Sequence, residues 1–334
     1  MPVDVTLASY GDLAFNTSLV LYLLAMVLHA VEYAARREVA VPPAAEAREG
    51  GARGGGVATL APPADTALEP LADTVLPRRG PVERAGRTGV ALTVLAAGVH
   101  GTSLVLRGLA VGRVPWGNMY EFTSAVCFVA VVAWLVVLYR QRVVSLALRG
   151  LGLFVLVPVV ILLFLAGTVL YTEAAPLIPA LNSYWIAIHV AAAIISSGTL
   201  LVAGVASVLY LVAARHASRP GSTSALGVRL PPAATLDRLA YRTTVVAFPI
   251  WTFALITGAI WAEAAWGRYW GWDPKETVAL VAWVVYACYL HARATAGWRG
   301  SRSAWINIVG FAVMVFNLLF VNIVVAGLHS YAGL

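Results

Sequence analysis

Charge is scarce in this 334-residue chain: only 12% of the residues are Asp, Glu, Lys or Arg, and Lys275 is the single lysine. The chain is 60% hydrophobic, with a mean hydropathy of +0.81. A soluble fold of this size could not hide that much apolar surface. Cysteine is almost as rare. Cys127 and Cys288 both fall in apolar runs and read as packing residues rather than a disulfide. No Cys-x-x-Cys-His occurs, so the chain is not itself a c-type cytochrome. Near the start stand Asp4 and Asp12 without a basic stretch, so a cleaved leader is not expected and the first apolar run reads as retained. No convincing internal repeat is present.

What the chain has instead is long apolar runs. A membrane span needs roughly 20 predominantly apolar residues. Eight stretches qualify, near 14–35, 88–107, 121–139, 151–171, 184–213, 240–262, 277–292 and 304–328. The fifth is long enough to tilt or to project beyond the bilayer. Only helices and closed barrels satisfy the backbone in lipid, and these runs neither alternate nor have barrel-strand length. The expected fold is an all-α polytopic membrane protein with about eight transmembrane helices.

Arginines gather in alternate loops, at 36–87, 140–150, 214–242 and 293–302. The positive-inside rule makes those loops cytoplasmic and puts both termini and the 266–276 segment on the outer face. The basic charge is therefore a topology signal, and no nucleic-acid partner is expected. Residues 37–87, rich in Ala, Gly and Pro, read as a disordered cytoplasmic linker. It separates a first helix, 1–36, from a membrane domain at 88–334. A shorter linker covers 216–236.

Residues 266–276 read Trp-Gly-Arg-Tyr-Trp-Gly-Trp-Asp-Pro-Lys-Glu. Trp266, Trp270 and Trp272 could be ordinary interfacial tryptophans. They could also face a flat, amphipathic ligand with acidic substituents. Asp273 before Pro274 suits a helix N-cap, with Glu276 in the first turn. Arg268 and Lys275 could pair with ligand carboxylates or be solvated loop charges.

Six histidines sort by depth. His189 and His329 fall at about the depth of the aromatic segment, on different helices, and could approach one metal from opposite sides, as the axial ligands of haem iron do. Headgroup hydrogen bonding is the plainer reading. His291 lies at the inner end of the seventh run and is a functional candidate by position. His29 and His100 read as helix-packing histidines, and His216 as ordinary.

The pattern Trp-Gly-x-x-Trp-x-Trp-Asp-x-x-Glu resembles the tryptophan-rich WWD motif of haem-handling proteins. Trp272–Glu276, Cys-Tyr-Leu-His291, Gly-Leu-His329-Ser-Tyr, Pro115–Glu121 and Ser183-Tyr184-Trp185 are similar to the CcsA/ResC family, over about residues 88–334. The resemblance implies a bacterial cell-membrane protein of cytochrome c biogenesis that works with a CcsB/ResB-like subunit. Together they would export haem b and join it to the Cys-x-x-Cys-His of reduced apocytochrome c, a holocytochrome c synthase activity. It also implies that His189 and His329 ligate an external haem. His291 would serve haem earlier on its route, with the opposite ligand on the partner, and Trp266, Trp270, Trp272 and Asp273 would contact the cofactor. Two other classes compete: a b-type haem protein of membrane electron transfer, and a small-molecule transporter with an aromatic gate.

Overall fold

The computed structural model describes residues 3–35, 80–140, 148–177, 183–219, 226–325 and 327–328. They form α1 (Val5–Ala35), α2 (Pro81–Val111), α3 (Met119–Arg140), α4 (Leu151–Thr168), α5 (Tyr184–Ala217), α6 (Ala233–Trp266), α7 (Pro274–Ala294), α8 (Ser301–Leu318) and the one-turn α9 (Phe320–Ile323). Eight helical segments are long and apolar enough to cross a membrane, the last combining α8 and α9. The all-α multi-pass fold expected from hydropathy is the one observed.

Two boundaries differ from the sequence reading. Residues 81–87, assigned there to the linker, are the first turns of α2, with Pro81 in the opening turn where its missing N–H costs nothing. Most of the linker lies outside the described residues. The eighth apolar run is not one helix to 328. It breaks at Leu319, where Asn322 Nδ2 donates to the carbonyls of Asn317 (2.9 Å) and Leu318 (2.7 Å). A side chain thus satisfies the orphan carbonyls at a helix end.

Helices α1 and α2 run antiparallel, with Asp4 N–H donating to the Ala110 carbonyl at 2.9 Å. Their seam carries buried polar groups in three layers. Thr93, His100 and Arg107 recur every seventh residue on α2, about 10.5 Å apart along the axis. In the first layer Arg107, 3% exposed, reaches Glu121 (3.0 Å), Asp12 (3.3 Å) and the Thr172 carbonyl. Tyr171 donates to Asp12 (2.7 Å), and burial together with that bond raises its phenol above its ordinary pKa. In the middle layer His100 Nε2 lies 2.8 Å from Ser124 Oγ and its Nδ1 lies 3.4 Å from the Tyr22 hydroxyl. In the third, His29 packs edge-on to Trp134 and 3.4 Å from Thr93, and the fully buried Glu32 pairs with Arg149 at 2.6 Å. A buried charge needs such a partner, since an unpaired one costs several kcal/mol.

These contacts define the two ends of the bundle. Glu32–Arg149 and Asp237–Arg293 lie at one end. Asp12, Arg107, Arg113 and the 266–276 segment lie at the other, the aromatic end. Most described arginines are at the first end. Arg107 and Arg113, at the second, are tied to the Glu121 carboxylate.

Candidate functional site

A cavity enters the bundle between α3, α5, α6, α7 and α8. The space at the site, its open mouth included, is about 1450 Å³. Its mouth is framed by Trp116, Trp266, Tyr269 and Trp270, and its depth is lined by apolar residues such as Val126, Leu162, Leu201 and Phe311.

The 113–121 segment forms one lip. Asn118 Oδ1 accepts the Glu121 N–H (2.9 Å) and so caps α3. The Glu121 carboxylate, 1% exposed, accepts from Gly117 N–H (2.8 Å) and pairs with Arg113 (2.7 Å). One buried acid therefore folds the loop that sets Trp116 against the cavity.

The opposite wall is α5 against α6. His189 lies on α5, half-buried, and lines the cavity. Its Nδ1 lies 2.7 Å from the Ala254 carbonyl of α6. A carbonyl only accepts, so the proton of a neutral ring is on Nδ1 and the lone pair is on Nε2. Many metal-ligating histidines are oriented in this way by a carbonyl. Trp261 stacks on the ring at 6.1 Å, within 9° of parallel. Gly258 makes the approach possible: a Cβ there would sit 2.7 Å from His189 Nδ1. Ala254, Gly258, Trp261, Ala262 and Trp266 form one helical stripe on α6, and all five line the cavity.

Helix α6 ends at Gly267, whose φ of 70° needs glycine and turns the chain into the aromatic segment. Trp266 meets Trp261 edge-on at 4.8 Å. Trp270 lines the cavity, but Trp272 does not; it is 69% exposed. Trp272 holds a φ of 58°, a region bulky side chains rarely adopt. That turn sends its ring to the surface, edge-on to Trp270 at 5.8 Å.

Asp273 is outside the lining as well, buried as the N-cap of α7. Its Oδ2 accepts Lys275 N–H (3.2 Å) and its Oδ1 accepts Leu328 N–H (2.7 Å). Glu276 completes the capping box, accepting from the Asp273 (3.1 Å) and Gly271 (2.8 Å) N–H groups. Asp273 thus ties the chain just before residue 329 to the aromatic segment. His329 itself lies outside the described residues. His291 is exposed in the last turn of α7, away from the cavity, at the arginine-rich end.

The structure therefore brings His189, Trp266 and Trp270 to one cavity and leaves Trp272, Asp273 and His291 off its wall. Phe122, Trp251, Trp261 and Gly258 line it without having been singled out, and Trp116 lines it from the Pro115–Glu121 segment that carried the resemblance. The indole N–H groups of Trp116 and Trp251 are buried with no hydrogen-bond partner among the described residues. The helical spacing of Gly258, Trp261 and Trp266 was the signal that could have found the α6 wall.

Residues 116–329 match the family model described as cytochrome C assembly protein. The chain belongs to this family. It is 36% identical over 277 residues to the cytochrome c biogenesis protein CcsA of Parasynechococcus marenigrum, covering 75% of this chain and 88% of that one. It is 38% identical over 250 residues to the protein of the same name from Chlamydomonas reinhardtii, covering 72% and 69%. The counterpart from Guillardia theta is 35% identical over 270 residues. Among solved structures, the cytochrome c haem lyase CcmF shares the fold, with a TM-score of 0.57 and 16% identity. That match covers 95% of this chain and 47% of CcmF, so the chain spans about half its length. The CcsA-like character expected from the motifs is borne out, and the chain is a multi-pass membrane protein of cytochrome c biogenesis.

Proposed function

We propose that the chain holds haem b in this cavity and passes it to apocytochrome c, acting with a CcsB/ResB-like subunit as a holocytochrome c synthase. The observation that carries the reading is His189, set in the aromatic wall of the cavity with Nδ1 turned to the Ala254 carbonyl, the orientation many metal-ligating histidines share. Haem is the substrate here. An aromatic mouth over an apolar interior suits a flat macrocycle with polar edges. His329 supplies the second axial ligand, carried on the chain that Asp273 ties down at Leu328. His291 serves haem earlier, at the opposite end, with a partner ligand. The arginine distribution supports an outer-face position in the cell membrane for the aromatic end.

The reaction is redox-neutral. Each cysteine thiol of the acceptor adds across one haem vinyl group, sulfur bonding to one carbon and the proton ending on the other. The chain's part is positioning: holding vinyl and thiol together supplies effective concentration. The acceptor's histidine then replaces one axial ligand and releases the product.

The test is a chase of labelled haem. The chain and its partner subunit, loaded with labelled haem, are given reduced apocytochrome c. Transfer of label into a covalent product is expected. Permanent retention would instead favour an electron-transfer protein, and a purified complex that never takes up haem would favour a transporter.

A further inference from the structure

Lys275, the only lysine of the chain, has no role in the chemistry above. It is the second residue of α7, where the helix dipole presents its positive end and a cation is disfavoured. Its side chain lines the cavity. Nζ donates to Asn322 Oδ1 at 2.5 Å and lies 5.9 Å from the centre of the Phe122 ring, and both contacts are electrically neutral. No carboxylate of the described residues lies within ion-pair distance of it. Asp273 acts on the ammonium through its charge but makes no ion pair with it, and the hydrogen bonds its carboxylate and that of Glu276 accept come from backbone N–H groups.

An ammonium held in a mostly apolar cavity is costly unless an anion joins it. Helix stability does not account for a cation at this point of α7. Packing does not either, since an apolar side chain would fill the same wall. Arg268 is a poorer candidate for anion binding. It is absent from the lining, and its guanidinium lies so close to the Gly271 backbone that a Cβ there would collide with it.

We propose that Lys275 is a carboxylate-binding residue of the cavity, and that its ligand is a propionate of the bound haem. This rests on the haem reading above. The ammonium and the N-terminal end of α7 act together on the ligand carboxylate, and Asn322 holds Nζ in place. The contact fixes which edge of the macrocycle enters the cavity, and hence leaves the vinyl edge to the acceptor.

Because the chain has no other lysine, the contact can be captured chemically. The purified full chain is loaded with haemin or with haemin dimethyl ester, which lacks free carboxylates, and treated with a water-soluble carbodiimide. The carboxylate and amine condense to an amide, and the carbodiimide takes up the water as urea. A haem adduct on the peptide containing Lys275 is expected with haemin and none with the ester. Lys275→Met should weaken haemin binding by about tenfold or more, the scale of a lost charged hydrogen bond. It should leave ester binding unchanged, which also shows that the variant is folded. Lys275→Arg should keep haemin affinity within about threefold of the parent while giving no adduct. If wild type and Lys275→Met bind haemin alike and no adduct forms, the assignment of Lys275 is overturned while the haem reading stands. If wild type binds neither haemin nor its ester, both fall.

Discussion

The buried histidines of the α1–α2 seam and His189 of the α5–α6 wall look alike in sequence and differ in what surrounds them. His100 is fully buried among Tyr22, Ser124, Phe15 and Phe128. His29 is packed so closely that a Cβ on Gly152 would approach its ring to 2.9 Å. Neither ring lines the cavity. His189 is equally well oriented, through Ala254 and Trp261, but it faces open volume. Orientation is common to the two regions; room for a ligand belongs only to the second. A histidine within a membrane helix is therefore informative about ligation only once its neighbours' sizes are known.

The sharpest way to break this comparison is to attack the seam and look for an effect on haem. Arg149→Met removes the Arg149 ion pair from the buried Glu32 and should lower stability by about 3 kcal/mol or more. Thermal unfolding in detergent, followed by helical circular dichroism, reads it. Haem bands per folded molecule should not change; their loss would mean that the seam and the cavity are one unit.

Gly258→Ala probes the other region. The new Cβ meets the imidazole at 2.7 Å, so overpacking should cost about 1–3 kcal/mol and displace His189 from Ala254. Haem retention should fall far more than stability does, in contrast to Arg149→Met.

His100→Leu removes the partner of Ser124 and Tyr22 at a cost of about 1–2 kcal/mol. Its haem absorption spectrum should match the parent, which an equilibrium titration with haemin would establish. A spectral change would give His100 a place on the haem route.

The smallest effect is expected within the aromatic segment itself. Trp272→Gly relieves a positive φ and removes a ring that does not line the cavity. Relief of strain and the entropy cost of glycine nearly cancel, leaving stability within about 1 kcal/mol. Haemin affinity should stay within about twofold, whereas Trp270→Gly should weaken it more. Equal losses would return Trp272 to the ligand-contact set.

The sequence carried the eight spans and the place of His189 because each rests on a local signal, a run of apolar residues or a named motif. It did not distinguish Trp270 from Trp272. Both are tryptophans two residues apart, and the turn that separates them puts a bulky residue at a positive φ, which residue type argues against. Asp273 was legible as a cap from its place before Pro274, but its second bond, to Leu328, joins residues 55 positions apart. The α6 wall was missed although Gly258, Trp261 and Trp266 share one helical stripe, because the stripe faces a site only once α5 crosses it. The break after Leu318 depends on Asn322 reaching back to the helix end, which hydropathy does not register.

The central claim is that His189 binds haem iron and the seam histidines do not. The visible absorption and low-temperature paramagnetic resonance spectra of the haemin-loaded full chain decide it, taken for wild type, His189→Ala and the paired variant His29→Leu, His100→Leu. Loss of the six-coordinate low-spin signal in His189→Ala alone, with imidazole added back restoring it, is the expected result. A low-spin signal that survives in His189→Ala and disappears in the paired variant would contradict the claim.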